Sequence, residues 1–257
     1  MLEGGGVVSI VGAGGKTTLL FRLAAELSQE GEAVLTTTTT KMRMPAREQC
    51  PTVIVSSLPD EALSRARERL KETPHVFAAS GHASDQGKLA GFSPEAVEAF
   101  WRSGLFQWIL VEADGAAQRP LKAPASHEPV IPDGSGWVIG VVGLDAVGKP
   151  LHEAWVFRPE QYSEITGLPM GHAVTEASVA KILVGQEGVM KGSPPVAVRL
   201  AFLNKVNCEG GMDAGRRIVA HLLGMRGHGL SRVVLGSALL DPPVAEWYDL
   251  NGVRRGS

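Results

Sequence analysis

The chain alternates short apolar runs with longer stretches in which apolar positions recur every three or four residues. Val7–Val11 reads as a short buried strand. In Lys16–Gln29, Leu19, Leu20, Leu23, Ala24 and Leu27 fall on one face of a helix. Ala33–Thr37 reads as a second strand, and Asp60–Glu72 as a charged helix with Asp60 at its N-cap. Val76–Ala79 is strand-like. Pro94–Arg102 is predicted helical, with Ser93 as cap and Pro94 at the first position. Trp108–Val111, Val138–Val142, Val198–Leu203 and Arg232–Leu235 read as further strands, with helix Ala214–Leu223 between the last two. Strands separated by helices predict an α/β fold: a mostly parallel sheet flanked by helices on both faces.

From about residue 145 to 195 the rhythm breaks. Helical patches at Glu160–Ile165 and Glu176–Leu183 stand among glycines and prolines, which predicts a small helical insertion or lobe within a single domain spanning 1–257. No internal repeat is visible, and the one biased tract is the threonine run at 36–40.

Composition narrows the class. The 257 residues are 44% hydrophobic, enough for a full core. A formal charge of −2 provides no basic field for nucleic acid or an anionic membrane. No window approaches the roughly 18 apolar residues of a membrane span. The opening MLEGGGVVSIVG has no basic n-region, so no signal peptide is expected. Cys50 and Cys208 lie far apart and outside any C-x-x-C pair, which argues against a disulfide scaffold or zinc knuckle. A cytoplasmic, enzyme-like domain is the expectation.

The candidate chemistry begins at V-G-A-G-G-K-T-T, residues 11–18. The usual phosphate loop, G-x-x-x-x-G-K-[ST], would need glycine at position 10, where Ile10 stands. A similar short loop, G-T-x-G-K-[ST], occurs in Mur-type peptide ligases. The loop follows a predicted strand and opens a predicted helix, as a phosphate site requires. Glycines allow backbone N–H groups to turn toward phosphate oxygens, and the helix N-terminus adds its positive end. Gly12, Ala13, Gly14, Gly15, Lys16, Thr17 and Thr18 are therefore candidate nucleotide contacts. Lys16 would meet the β- and γ-phosphates, and Thr17 would face Mg²⁺. Gly12, Gly14 and Gly15 are too closely spaced for the G-x-G-x-x-G of dinucleotide binders.

W-I-L-V-E-A-D-G-A, residues 108–116, ends a buried strand in Glu112 and Asp114. One acid could hold Mg²⁺ and the other polarise a nucleophile; the sequence leaves open which does which. The proline-stiffened segment at 119–132 carries Arg119, Lys122, His127 and Glu128 as candidate substrate contacts. L-T-T-T-T-T-K at 35–41 adds Thr38, Thr39, Thr40 and Lys41, which could line a γ-phosphate or an acceptor. Strand propensity alone also accounts for threonines there.

A-F-L-N-K-V-N at 201–207 is similar to the N-K-x-D of guanine-binding GTPases, with Asn207 where the carboxylate would stand. Asn204, Lys205 and Asn207 could border a base, with guanine selectivity weakened. His75, His82, His152, His172, His221 and His228 show no metal-ligand spacing.

Taken together, these stretches resemble the YqeC family, accessory proteins of selenium-dependent molybdenum hydroxylases. The resemblance rests on V-G-A-G-G-K-T-T (11–18), L-T-T-T-T-T-K (35–41), V-E-A-D-G-A (111–116), P-L-K-A-P-A-S-H-E-P-V-I-P (120–132), V-V-G-L-D-A-V-G-K-P (141–150) and N-K-V-N (204–207). Such proteins usually end the last motif N-K-V-D, so Asn207 is a departure. The resemblance implies a P-loop NTPase-like fold and a role in maturing a selenium- or molybdenum-containing cofactor, with a molybdenum hydroxylase or its cofactor-loading machinery as partner. The cofactors expected are Mg²⁺ and a nucleoside triphosphate, ATP or GTP. Three readings stand: a Mg²⁺-dependent nucleotide hydrolase or phosphotransferase, an ATP-dependent small-molecule kinase or ligase, and a non-catalytic nucleotide switch that gates a partner.

Overall fold

The computed structural model describes residues 4–84, 87–251 and 254–256; Met1–Glu3, part of the stretch read as lacking a signal peptide, lie outside them. The elements run β1 (Gly6–Gly12), α1 (Lys16–Gln29), β2 (Val34–Thr38), β3 (Lys41–Arg43), β4 (Val53–Val55), α2 (Pro59–Arg69), β5 (His75–Ala79), β6 (Gly81–His82), β7 (Lys88–Ala90), α3 (Pro94–Arg102), β8 (Trp108–Glu112), β9 (Leu121–Lys122) and β10 (Ser135–Gly143). They continue through β11 (Val156–Phe157), α4 (Pro159–Thr166), α5 (Glu176–Val184), β12 (Val198–Asn204), α6 (Gly211–Gly224), β13 (Leu230–Gly236), β14 (Val244–Asp249) and β15 (Arg254–Gly256).

Ten strands form one sheet in the order β15-β14-β13-β12-β10-β1-β8-β2-β5-β4. Every pairing from β13 to β4 is parallel, while β14 is antiparallel to both β13 and β15. The mostly parallel α/β sheet expected from the sequence is the one observed. Strand β1 is central, and all seven of its residues are buried. That explains its near-continuous apolar run, since a strand covered on both faces has no solvent side, and the one polar side chain, Ser9, pairs with the Ser135 hydroxyl at 2.8 Å. Alternation divides its side chains: Val8 and Ile10 pack with Leu19, Leu20, Phe21 and Ala24 of α1. Val7 and Val11 join the opposite core, which holds Phe100 of α3, Ile182 of α5 and Ile218 of α6.

Helix α1 has the predicted bounds. Ser93 caps α3 as expected, accepting from the Ala96 amide at 3.3 Å. Helix α2 differs: Leu58 is its N-cap and Asp60 lies in the first turn. Pro59 accounts for this, because its fixed φ suits the first helical position and its missing N–H needs no partner there. The strands β4, β14 and β15 and the small sheet β3-β7-β6 were not anticipated. Three-residue strands are too short to show a period, and β14 is only half-buried apart from Glu246.

Between 145 and 195, α4 and α5 pack their Tyr162, Val179 and Ile182 into the same core as Ile218 of α6. Within this stretch β11 pairs in parallel with β9, which sets Phe157 opposite Lys122 and brings Arg158 to the site.

His75 opens β5 and is buried, with Nε2 2.9 Å from the Thr36 hydroxyl. Burial lowers its pKa from 6.5 to about 4. Above pH 6.5 the ring is neutral in folded and unfolded chains alike, so its contribution to stability is complete. Between 6.5 and about 4 the unfolded chain takes a proton that the folded chain refuses, and stability falls. Urea unfolding at about pH 7 and about pH 5 should show the wild type losing about 2 kcal/mol more than His75→Gln. Equal losses would assign the acid sensitivity to other groups.

Candidate functional site

The glycine loop leaves the carboxyl end of β1 and enters α1 at Lys16. Three of its amides are engaged within the protein. Gly12 N–H donates to Asp114 Oδ2 at 3.0 Å, Ala13 N–H to Val141 O at 2.9 Å, and Gly14 N–H to Arg119 O at 3.1 Å. The glycines are required by close approach as well as by backbone freedom. A Cβ on Gly14 would stand 2.3 Å from Gly143 N, and one on Gly15 would stand 2.2 Å from Asn204 Nδ2. The amides that follow open α1, whose N-cap Gly15 offers no side chain. First-turn amides have no intrahelical partner and carry the positive end of the helix dipole.

Strand β8 lies beside β1, with Ile10 opposite Glu112. This register sets the acids of E-A-D against the loop. Thr17 Oγ1 donates to Glu112 Oε2 at 2.7 Å. Lys16 Nζ donates to Gly12 O at 2.7 Å and lies 3.2 Å from Asp114 Oδ1. Asp114 is fully buried, and its Oδ2 also lies 2.9 Å from Lys122 Nζ. Asp114 is therefore no solvent-facing strand end: it sits between two lysines.

Lys122 is itself fully buried. Its ammonium donates to Gly115 O at 2.6 Å and to Glu128 Oε2 at 2.8 Å, besides facing Asp114. Arg158 completes the row, with Nη1 2.6 Å from Glu128 Oε2. The cluster is thus Lys16, Lys122 and Arg158 against Glu112, Asp114 and Glu128, three charges of each sign. Burial alone would lower the Lys16 pKa, but Asp114 and then Glu112 outweigh it and hold the ammonium above its ordinary value. Burial raises the Glu112 carboxyl, against the pull of Lys16 and the Thr17 hydrogen bond. Burial would also raise Glu128, yet the hydrogen bonds from Arg158 and Lys122 prevail and bring it to about 2.

The remaining candidates divide. The threonine hydroxyls join neighbouring segments: Thr38 donates to Glu112 O at 2.7 Å and Thr39 to Val130 O at 2.6 Å. Thr40 N–H donates back to the Thr38 hydroxyl at 3.1 Å. Lys41 is exposed on β3, and His127 is exposed in the turn after Lys122. Arg119 donates through Nε to Glu153 O at 2.5 Å. Asn204 is buried and spans two loops, with Nδ2 donating to Gly14 O at 2.7 Å and Oδ1 accepting from the Ala238 amide at 3.0 Å. Lys205 takes a left-handed φ of 68° and pairs with Asp145 at 2.7 Å. Asn207 is exposed in the turn that follows.

Two residues at this site were not singled out from the sequence, Arg158 and Asp145. Arg158 stands 30 residues from Glu128 and 36 from Lys122, so no spacing announces it. A lysine and a glutamate close together in a proline-fixed segment could have suggested the Lys122–Glu128 pair. Among the described residues no group of three or more His, Cys, Asp or Glu could hold a metal ion, and no helix is long and apolar enough to cross a membrane.

A central parallel strand, a glycine loop ending in Lys-Thr, a helix and an acidic neighbouring strand define a P-loop NTPase-like α/β protein. The particular family follows from the chain itself. The model of the YqeC protein family matches residues 8–160. The Escherichia coli (strain K12) protein YqeC is 35% identical over 246 residues, covering 94% of this chain and 91% of its own. The chain belongs to the YqeC family. Distant likenesses among solved structures include FlhF complexed with GTP/Mg(2+), at TM-score 0.42 and 13% identity, covering 96% of this chain and 72% of that one. The MinC:MinD complex of Aquifex aeolicus matches at TM-score 0.40 and 14% identity, covering 90% and 81%. FtsY of Mycoplasma mycoides matches at TM-score 0.37 and 12% identity; the match covers 91% of this chain and 62% of the FtsY chain.

Proposed function

We propose that this protein binds a Mg²⁺-nucleoside triphosphate and acts as an NTP hydrolase or phosphotransferase in maturing the selenium- or molybdenum-containing cofactor of a hydroxylase. One observation carries the nucleotide reading. Lys16 and Thr17 open α1 after the loop that leaves the central strand, and each is held by an acid, Thr17 by Glu112 at the end of β8 and Lys16 by Asp114 just beyond it. A lysine and a hydroxyl–carboxylate pair at an uncapped helix N-terminus suit a polyphosphate and a hard cation.

The shared point of Thr17 and Glu112 is the best fit for Mg²⁺, which would supply positive charge to the β- and γ-phosphates there. Asp114, enclosed by Lys16, Lys122 and the Gly12 amide, has the role of holding lysines. Because the cluster is charge-balanced, an added polyphosphate needs Mg²⁺ or a displaced lysine to offset it. Lys16 is drawn back onto Gly12 O and Asp114, an arrangement that also suits a nucleotide switch gating a partner. The cofactor-maturation part of the proposal rests on the family resemblance, with a molybdenum hydroxylase or its loading machinery as partner.

A nucleotide panel read by thermal shift, with and without Mg²⁺, tests the binding reading, and phosphate release tests turnover. Release without acceptor supports hydrolysis, turnover only with a small-molecule acceptor supports a kinase or ligase, and tight binding without turnover supports the switch. No Mg²⁺-dependent stabilisation by any nucleotide would overturn the proposal.

Base selectivity is expected to be weak. An N-K-x-D carboxylate accepts two N–H bonds from guanine, whereas exposed Asn207 brings a neutral amide and Asn204 is committed to Gly14 and Ala238. Charge-assisted bonds are roughly twice as strong as neutral ones, so on the order of 1–3 kcal/mol of preference is missing. GTP and ATP should differ by less than about a hundredfold, and Asn207→Asp should shift the preference toward guanine. Competition binding with GTP, ATP and CTP checks both; an unmoved preference in the variant would place base reading elsewhere.

A further inference from the structure

We propose that Lys122 is a positioning residue for Lys16: as a second, fixed cation on Asp114, it weakens that carboxylate's hold and frees Lys16 to move onto a phosphate. This rests on the nucleotide reading above and adds how the site releases its lysine.

The two ammonium groups are unequal. Lys122 Nζ donates hydrogen bonds to Gly115 O and Glu128 Oε2 and lies 2.9 Å from Asp114 Oδ2, within a fully buried side chain. Its backbone is paired with β11 opposite Phe157, whose ring centroid lies 5.9 Å from the ammonium. Two hydrogen bonds and an ion pair hold it in a side chain closed to solvent, so nothing draws this lysine away. Lys16 Nζ makes one hydrogen bond, to Gly12 O at 2.7 Å, and faces Asp114 Oδ1 at 3.2 Å. That Oδ1 is buried and accepts no hydrogen bond. The Lys16 contact is the longer of the two on Asp114, 3.2 Å against 2.9 Å for Lys122, and the Lys16 ammonium retains donor capacity for another partner.

The asymmetry has a consequence for ligand binding. If Asp114 had Lys16 as its only cation, moving Lys16 to a phosphate would leave a buried carboxylate uncompensated, which is strongly unfavourable. With Lys122 and the Gly12 amide on Oδ2, Asp114 keeps a cation and a hydrogen bond when Lys16 departs. Glu128 and Arg158 in turn keep Lys122 in place: Glu128 Oε2 accepts from both. The segment at 120–132 thus acts on the phosphate loop through a carboxylate, without touching the ligand.

Inorganic tripolyphosphate is a suitable probe because it has no base or ribose. In the wild type, ¹⁵N-detected spectra of the lysine ammonium groups should show the Lys16 signal moving on titration and the Lys122 signal staying. In affinity measurements Lys122→Gln should bind tripolyphosphate about tenfold or more weakly, and Lys122→Arg should recover most of the loss. Asp114→Asn should gain more affinity in the Lys122→Gln background than in the wild type, as coupling through Asp114 demands. A merely structural Lys122 would alter thermal stability without that coupling. Wild-type affinity in folded Lys122→Gln, additive effects of the two substitutions, or both lysine signals moving together would overturn the proposal. If the variants fail to fold, the wild-type spectra decide. Failure of the wild type to bind either tripolyphosphate or Mg-ATP would overturn the nucleotide reading and this proposal with it, whereas binding without these lysine signatures would overturn this proposal alone.

Discussion

Lys16→Ala is expected to lower Mg-nucleotide affinity by about two orders of magnitude while the fold survives. The ammonium would be the mobile charge meeting the β- and γ-phosphates, and two charge-assisted hydrogen bonds at about 1.5–3 kcal/mol each bring the loss to a hundredfold or beyond. Folding should tolerate the change because Asp114 keeps Lys122 at 2.9 Å and the Gly12 amide at 3.0 Å. Lys16 also bonds no side chain other than through its contact with Asp114. Titration calorimetry with Mg-ATP and Mg-GTP, beside circular dichroism of the variant, checks both halves. Unchanged affinity would remove the glycine loop from the nucleotide site.

Asp114→Ala should do the reverse, acting on stability first. It leaves Lys122, fully buried, with Glu128 as its one remaining carboxylate, and leaves the Gly12 N–H without an acceptor. Removing one partner of a buried ion pair typically costs about 3–5 kcal/mol. Denaturant unfolding should therefore show a loss of that order. Glu112→Gln is the contrast. The amide oxygen can still accept from Thr17, so stability should change little, while Mg²⁺-dependent stabilisation by nucleotide falls because a carboxylate oxygen is lost. If Asp114→Ala unfolds no more readily than Glu112→Gln, the buried row of charges does not hold this part of the fold together.

Much of the framework was legible because it is local. Strand β1 reads from Val7, Val8, Ile10 and Val11 around Ser9, and α1 from a leucine spacing of three and four. The loop between them reads from glycine, lysine and threonine in a row. These features depend on neighbours within a few positions, where periodicity and backbone sterics act directly. The acids Glu112 and Asp114 were visible too, because charges that close an apolar run stand out. Their division of labour was not. It depends on the register Ile10↔Glu112, which sets Glu112 at Thr17 and carries Asp114 past the strand end to Lys16 and Lys122.

The same limit accounts for the residues that were placed differently or passed over. Asn204 looks like a base contact in sequence and is found 190 residues from its partner, holding Gly14 O. Arg158 has no motif, and it reaches Glu128 only because β11 lies along β9. The sequence by itself determined helices α1 to α6 and the core parallel strands, that a glycine loop ending in Lys-Thr joins β1 to α1, and which family the motifs resemble. Tertiary structure alone decided which cation faces which carboxylate. The reason is that Coulombic and hydrogen-bond partners are chosen by strand order and loop packing over long separations, whereas the periods that betray a helix or strand are written in adjacent residues.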